Sequence, residues 1–371
     1  MSEVFEHADE LGPAKIIHVY EPGRQLKAIL VVDNVACGPA IGGLRMAPDV
    51  STRECARLAR AMTLKNAAAG LPHGGAKSVL FGDPRMPQQE KEPLIRAFAC
   101  ALKGNDEYIF GPDMGTDETC MAWVRDELGG RAVGLPREIG GIPLDEIGAT
   151  GWGLSNAVDV AMEQLDFDLQ GARLVIQGFG SVGRHAARFL LQKGARLIAV
   201  ADSRGAIHNP DGLALDELEQ LKAQGQGVSD YPEGERLERD AVVSVPCDIW
   251  IPAARPDVVH AGNVDQLDTR LVVQGANIPF TREAEQLLHQ RGVLVIPDFI
   301  ANAGGVICGA MEYRNMSQGA AFTAIAEKVG SNTREVLERA RAQQVSPRQA
   351  AEAMAVERVR AAMATRRWGL F

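Results

Sequence analysis

The sequence predicts an α/β protein of two domains, the second built on a doubly wound parallel sheet. Three observations carry this. With 371 residues, 46% of them hydrophobic and 23% charged, the chain has globular composition but exceeds what one hydrophobic core usually supports. From about residue 150 strands alternate with helices, the rhythm of parallel strands joined by helical crossovers. A turn of the pattern G-x-G-x-x-G follows the first strand of that region and opens a helix.

In chain order, residues 15–35 read as a hairpin, because the β-rich segments KIIHVYE and LKAILVVDN flank the turn signal Pro22-Gly23. Ser51-Thr-Arg-Glu54 has capping-box spacing and leads into the helical stretch ECARLARAMTLKNAAA, which carries Lys65 near its end. The glycine-rich turn GLPHGGAK then delivers Lys77 to a short strand, SVLFGD. After a helical run over 90–102, the strand EYIF ends in the loop Gly111-Pro112-Asp113-Met114-Gly115-Thr116, which sets Asp113 just past a strand end. The second region runs helix 151–165, strand RLVIQ, helix 181–193 and strand RLIAVAD, then CDIWIPAA, LVVQGAN and VLVIPD. The charged stretch 213–240 reads as a solvated helix with a mobile loop. An Ala-, Arg- and Glu-rich helical tail starts near residue 320 and is interrupted at Pro347. These boundaries give a first domain over 1–148, joined by helices of 330–371 folding back on it, and a second over 149–329.

A net charge of −9 and a pI near 5.4, with Lys and Arg scattered along the chain, oppose nucleic acid and anionic membranes as partners. No apolar run approaches the roughly 18 residues of a membrane span. The acidic start MSEVFEHADELG is unlike a signal peptide, so a cytoplasmic protein is expected. Cys37, Cys55, Cys100, Cys120, Cys247 and Cys308 form no C-x-x-C pair. Reduced, mostly buried thiols and no metal site are the expectation.

A lone G-x-G-x-x-G is weak, and context decides it. Gly178-Phe179-Gly180-Ser181-Val182-Gly183 follows the apolar strand RLVIQ, opens a helix, and precedes a second strand ending at Asp202, 19 residues beyond Gly183. The first glycine permits a tight turn, the second lets a pyrophosphate approach the backbone, and the third brings helix against strand. The phosphates then meet the positive end of the helix. In that context a βα turn that binds nothing is the weaker reading. Asp202 stands where a carboxylate accepts hydrogen bonds from the adenosine ribose and repels a 2′-phosphate, so NAD is favoured over NADP. Arg204 is the nearby cation that could pair with such a phosphate if it folds inward; its bland reading is a solvated turn residue.

Taken in order, GPAIGGLRMAP, MTLKNAAAGLPHGGAK, PDMGT, ATGWG, GFGSVG, GANIP and DFIANAGGV are far more specific than any one of them. From about residue 26 to 315 the chain resembles the glutamate, leucine, phenylalanine and valine dehydrogenases. The resemblance implies an N-terminal α/β substrate and oligomerisation domain, a Rossmann-type dinucleotide-binding domain, and catalysis in the cleft between them. It also implies a homo-oligomer that oxidatively deaminates an L-amino acid to its 2-oxo acid and ammonia with NAD. In that chemistry hydride leaves Cα, and the resulting iminium must be attacked by water and then expel ammonia. The site therefore needs a carboxylate anchor and two proton-transfer groups.

By resemblance Lys65 anchors the α-carboxylate, Lys77 activates the attacking water, and Asp113 shuttles protons to and from the substrate nitrogen. Thr150 matches the threonine that hydrogen-bonds the nicotinamide carboxamide, and Asn277 and Asn302 match residues lining the nicotinamide and substrate face. Cofactor contacts are expected from Gly178, Phe179, Gly180, Ser181, Val182, Gly183, Asp202, Ser203 and Ala253. From residue type alone the lysines read as solvated, Asp113 as a turn aspartate, Thr150 as an N-cap, and the two asparagines as turn caps. The small apolar surroundings of both lysines, and each other's charge, are expected to lower a lysine pKa toward neutrality. His73 reads as structural.

Two positions bear on the substrate. In glutamate enzymes a lysine that grips the side-chain carboxylate precedes the Gly-Gly pair; here Ile41 precedes Gly42-Gly43. A serine three residues past the valine of ANAGGV is replaced by Gly309. A carboxylate buried there without a partner costs several kcal/mol, so an apolar side chain is expected, with room beside Gly309 for a large or aromatic one. This leans toward the leucine- and phenylalanine-type branch. The alternatives are an atypical glutamate dehydrogenase that recruits Arg45 or His73 as its cation, and a catalytically inactive nucleotide-binding regulatory protein.

Overall fold

The first two β-rich segments pair as predicted: β1 (Lys15–Glu21) lies antiparallel to β2 (Leu26–Asn34), with Glu21 opposite Leu26. The computed structural model describes residues 5–365, and the chain divides into two compact units. The first takes residues up to Leu144, Val306–Ala321 and the chain from Glu352 onward; the second takes Asp145–Gly305 and Phe322–Ala351.

The first unit adds β3 (Ala40–Ala47), α1 (Thr52–Ala68), β4 (Gly75–Phe81), α2 (Gln88–Ala101), β5 (Tyr108–Pro112) and α3 (Glu118–Leu128). Its sheet has the order β1-β2-β4-β3-β5. One face packs on α1 through Ile29, Val31, Cys55, Ala59 and Val79, and the other carries a larger core with Ile95, Phe98, Met121 and Val124.

β3 is a strand that the sequence did not signal, because Gly42 and Gly43 at its centre lower strand propensity. It runs parallel to both β4 and β5 with Ile41 beside Gly75 and Ile109, fully inside the sheet. The glycines are a packing requirement: a Cβ on Gly42 would overlap the carbonyl oxygen of Ala76. Helix α1 begins where its capping residue indicates, Ser51 Oγ accepting from the Glu54 amide. The Glu54 carboxylate does not return to the cap; it pairs with Arg45.

The second unit contains α4 (Ala149–Met162), β6 (Arg173–Gln177), α5 (Ser181–Gln192), β7 (Arg196–Asp202), β8 (Gly205–His208), α6 (Leu215–Ala223), β9 (Glu235–Leu237) and β10 (Ile249–Pro252). Then follow β11 (Leu271–Val273), α7 (Arg282–Gln290), β12 (Leu294–Ile296) and α8 (Asp298–Ala301). The sheet order is β12-β11-β10-β6-β7-β8-β9. The first five strands are parallel, while β8 and β9 extend the β7 edge antiparallel. Their near-continuous apolar runs suit strands covered on both faces. β8 and β9 lack such runs, and β9 lies inside the stretch read as helix and loop.

Helices α9 (Gly304–Tyr313), α10 (Gln318–Gln343) and α11 (Pro347–Thr365) complete the chain. The tail does not join the first unit as one block from residue 330: residues up to Ala351 group with the second. Side chains account for this. Arg348 is bound to Glu285 and Asp298 of the second unit, whereas Arg358 donates to the carbonyls of Ala67 and Ala68 in the first.

Candidate active site

The register of β3 against β4 puts Ile41, Gly43 and Arg45 on the same sheet face as Lys77. From that face the Lys77 ammonium reaches Asp113 Oδ2 at 2.8 Å, and Arg45 Nε reaches the same oxygen at 2.8 Å. The Arg45 guanidinium also holds Glu54 Oε1 at 2.6 Å. Lys77 is 6% exposed, so its charge is almost wholly inside the fold. Burial pushes the Asp113 carboxyl up, but Lys77 and Arg45 outweigh it and hold the group below the usual carboxylate range. Asp113 is thus an anion at neutral pH.

Gly43 makes this contact possible. A Cβ there would lie 2.8 Å from Asp113 Cβ and 3.2 Å from Lys77 Nζ. The Asp113 loop is tied down by Thr116, whose hydroxyl accepts from the Asp113 amide at 3.0 Å and donates to the Leu44 carbonyl at 2.7 Å. The hydroxyl of buried Tyr108 donates to the Gly42 carbonyl at 2.9 Å, fixing the glycine pair from the far face.

Lys65 lies in the last turn of α1, half-buried. Its neighbour Asn66 donates to the carbonyls of Gly74 at 2.7 Å and Ile41 at 3.4 Å, clamping that helix end to the starts of β3 and β4. Ile41 is buried, and a Cβ on Gly309 in α9 would meet only Val133, at 3.4 Å. Glu312, one turn on, accepts from the amides of Leu135 and Ile142 at 3.1 and 2.9 Å and so sets where Val133 sits. No motif marked Glu312 in the sequence. His73 is buried, with Nδ1 3.0 Å from the Pro39 carbonyl and its ring edge-on to Tyr313 at 5.7 Å. Burial lowers its pKa, which leaves the ring neutral at pH 7.

In the second unit β6 has β7 on one side and β10 on the other, so the sheet order reverses at its carboxyl end, where doubly wound folds place ligands. Gly178 turns there with φ +108°, and a Cβ would press on the Ala253 backbone at 2.7 Å. Ala253 itself donates to the Gln177 carbonyl at 2.6 Å. A Cβ on Gly183 would overlap the Gly178 carbonyl oxygen, as helix-to-strand packing requires. Gly180 differs: nothing lies within 4 Å of where its Cβ would be. Open ground thus fronts the start of α5, whose Gly180 cap supplies no side-chain acceptor. Ser181 Oγ donates to the Asp145 carbonyl at 2.7 Å. Phe179 is buried, Val182 half-buried and Ser203 exposed. These residues fit a dinucleotide's phosphates, with the first-turn amides and the helix dipole facing the anion.

Asp202 ends β7 and accepts three hydrogen bonds: from the Arg204 amide at 2.8 Å, the Val228 amide at 3.1 Å and Lys222 Nζ at 2.6 Å. The Arg204 guanidinium instead donates to the Gly225 carbonyl, folded away from the carboxylate. Thr150 lies in the first turn of α4, whose cap is Gly148, so a plain N-cap role does not apply. Asn302 Nδ2 donates to Asn277 Oδ1 at 3.0 Å and to the Gly275 carbonyl at 3.2 Å. Its Oδ1 is buried without a partner, an acceptor that a carboxamide N–H would satisfy. The loop after Asn277 takes a left-handed turn at Ile278, φ +51°, held by its amide on Asp298 Oδ2 at 2.8 Å. Asp298 Oδ1 in turn pairs with Arg348 at 2.9 Å. Sequence reading missed Lys222, Asp298 and Arg348, whose partners lie 20 to 74 residues away.

Among the described residues no helix is long and apolar enough to cross a membrane, and no group of three or more His, Cys, Asp and Glu could hold a metal. A glycine turn suited to a dinucleotide in one unit, and a buried lysine paired with an ionised aspartate in the other, are features that a nicotinamide-dependent dehydrogenase requires. Residues 140–367 match the Glutamate/Leucine/Phenylalanine/Valine dehydrogenase family and 13–129 match its dimerisation domain, and the chain belongs to this family. It is an amino-acid dehydrogenase, an oxidoreductase acting on CH–NH2 donors.

The glutamate dehydrogenase of Aeropyrum pernix is 36% identical over 357 residues, covering 90% of this chain and 85% of that protein. The NADP-specific glutamate dehydrogenase of Saccharolobus shibatae is 36% identical over 298 residues, covering 77% and 70%. The solved hetero-hexameric glutamate dehydrogenase of Thermus thermophilus, in a Leu-bound form, superposes with a TM-score of 0.85 at 30% identity, covering 96% of this chain and 91% of that one. These relatives do not support the leaning toward the leucine- and phenylalanine-type branch. Nor do they separate NAD from NADP.

Proposed function

We propose that the chain interconverts an L-amino acid and its 2-oxo acid plus ammonia with a nicotinamide dinucleotide, and that the Lys77–Asp113 pair performs the proton transfers. The observation that carries this is a buried ammonium and an ionised carboxylate 2.8 Å apart, held by a second cation that keeps the carboxylate charged. Lys77 polarises and so activates the attacking water through its ammonium, and Asp113 moves protons to and from the substrate nitrogen. Lys65 anchors the α-carboxylate. The turn Gly178–Gly183, with Asp202, Ser203 and Ala253, holds the dinucleotide, while Thr150, Asn277 and Asn302 orient the nicotinamide. When bound, the nicotinamide accepts the hydride from Cα. The match to a dimerisation domain supports a homo-oligomer.

Glutamate is the substrate that the named relatives support. A second reading, an apolar side chain, rests on Ile41 and Gly309 and is strengthened by the two cations that could replace the missing lysine. Arg45 is already bound to Asp113 and Glu54, and His73 is neutral. A scan of L-amino acids at alkaline pH, following NADH or NADPH absorbance, separates the readings. Glutamate turning over fastest supports the first; leucine, phenylalanine or tryptophan exceeding it by orders of magnitude supports the second. Nucleotide binding without turnover of any amino acid would favour an inactive regulatory protein.

A further inference from the structure

The ribose end of the nucleotide site carries a cation that its glycine pattern does not foretell. Lys222 projects from α6 onto Asp202 Oδ2 at 2.6 Å, and that oxygen also accepts the Val228 amide at 3.1 Å. The other oxygen accepts the Arg204 amide at 2.8 Å. A free carboxylate at this position would refuse a 2′-phosphate by repulsion and accept the ribose hydroxyls instead. Here the carboxylate already holds three donors, and its charge is offset by an ammonium in contact with it. The repulsion that selects against NADP is thereby largely cancelled.

The Lys222 side chain is 31% exposed, in contrast to 5% for Asp202. Its flexible four-carbon stem can bring the ammonium between the carboxylate and a phosphate without unpacking the fold. Arg204, the nearer cation in sequence, is not the candidate, since its guanidinium is engaged by the Gly225 carbonyl.

We propose that Lys222 is a specificity-determining residue that binds the 2′-phosphate of NADP, so that the chain accepts NADP as well as NAD. This rests on the reading of the Gly178–Gly183 turn as a nicotinamide dinucleotide site. The test is calorimetric titration of the full chain with ADP and with 2′,5′-ADP, beside Lys222→Gln and Asp202→Asn. The unaltered chain should bind the two nucleotides within about tenfold of each other. Lys222→Gln should weaken 2′,5′-ADP relative to ADP by about tenfold or more, as loss of a charge-assisted hydrogen bond implies. Asp202→Asn should move the ratio the other way. The ratio of kcat/KM for NADP and NAD should follow both shifts. Binding of ADP with refusal of 2′,5′-ADP, or a ratio unmoved by Lys222→Gln, overturns the proposal. Failure to bind either nucleotide overturns instead the assignment of the turn itself.

Discussion

The glycine turn of the second unit and the charge cluster of the first solve different physical problems. The turn is made from six consecutive residues, Gly178–Gly183, and what matters there is absence of side chains: backbone must approach backbone at Gly178 and Gly183, and space must stay open at Gly180. The cluster draws Arg45 and Lys77 from β3 and β4 and Asp113 from the loop after β5, with up to 68 residues between partners, and what matters is mutual neutralisation inside the fold. Substitution in the turn should therefore act through shape, and substitution in the cluster through charge. The two regions can be broken independently.

The largest effect is expected at the cluster. Lys77→Ala or Asp113→Asn should lower kcat by about a thousandfold or more, the scale of lost general acid–base catalysis, while leaving dinucleotide affinity nearly unaltered. Steady-state rates and a fluorescence titration with the reduced cofactor measure the two quantities. Near-normal turnover in both variants would sink the assigned chemistry. Loss of nucleotide binding alongside turnover would show that the regions do not act separately.

The contrast also explains what was legible in the sequence. The turn could be read from residues alone, because its strand, glycines, helix and Asp202 are consecutive and each has a local physical reason. Lys77 and Asp113 looked like an ordinary lysine and a turn aspartate; only their resemblance to a family singled them out. Nothing local announced that Arg45 would share the Asp113 carboxylate, or that Glu54, placed to close a capping box, would pair with Arg45 instead. β3 was missed for a related reason: Gly42 and Gly43 look like a loop until one sees the Ala76 carbonyl and Asp113 on either side of them. Lys222 escapes a sequence reading because it lies 20 residues from Asp202, on a separate helix, whereas Arg204 is the cation nearest Asp202 along the chain.

A smaller but still large effect is expected at Arg348, which ties α11 to the second unit. Its guanidinium binds Glu285 and Asp298 together with Gln274, at 2.5 to 3.0 Å, and all three acceptors are buried. Arg348→Met should strand two buried carboxylates and cost about 3–5 kcal/mol in urea unfolding. Adding Glu285→Gln to that variant should restore part of the loss. If Arg348→Met unfolds like the unaltered protein, the network is a surface ornament and the grouping of the tail with the second unit has another cause.

Within the turn, Gly180→Ala and Gly183→Ala separate binding from packing. Gly183→Ala must push its methyl into the Gly178 carbonyl and should destabilise by about 1–3 kcal/mol. Gly180→Ala meets no protein atom within 4 Å, so stability should stay within about 0.5 kcal/mol while affinity for the dinucleotide falls. Equal losses of stability in the two variants would mean that Gly180, too, is kept by the fold and not by a ligand.

The smallest effect concerns pH, and its sign follows from Asp113. Burial alone would raise this carboxyl, yet Lys77 and Arg45 hold its pKa below the value of an unfolded aspartate, about 3.9. A group depressed in the folded state contributes stability that is fully present above its unfolded pKa and is lost as pH falls through its folded pKa. Asp113→Asn removes this dependence but leaves every other titrating group in place, so the difference between the two proteins isolates it. That difference, from urea unfolding, should be flat between about pH 5 and 7 and should shrink as the solution is acidified below about 4. A difference that grows on acidification would mean that the native carboxyl takes up its proton before the unfolded one, so that burial outweighs both cations. The cluster would then hold a neutral acid where the proposed chemistry needs an anion.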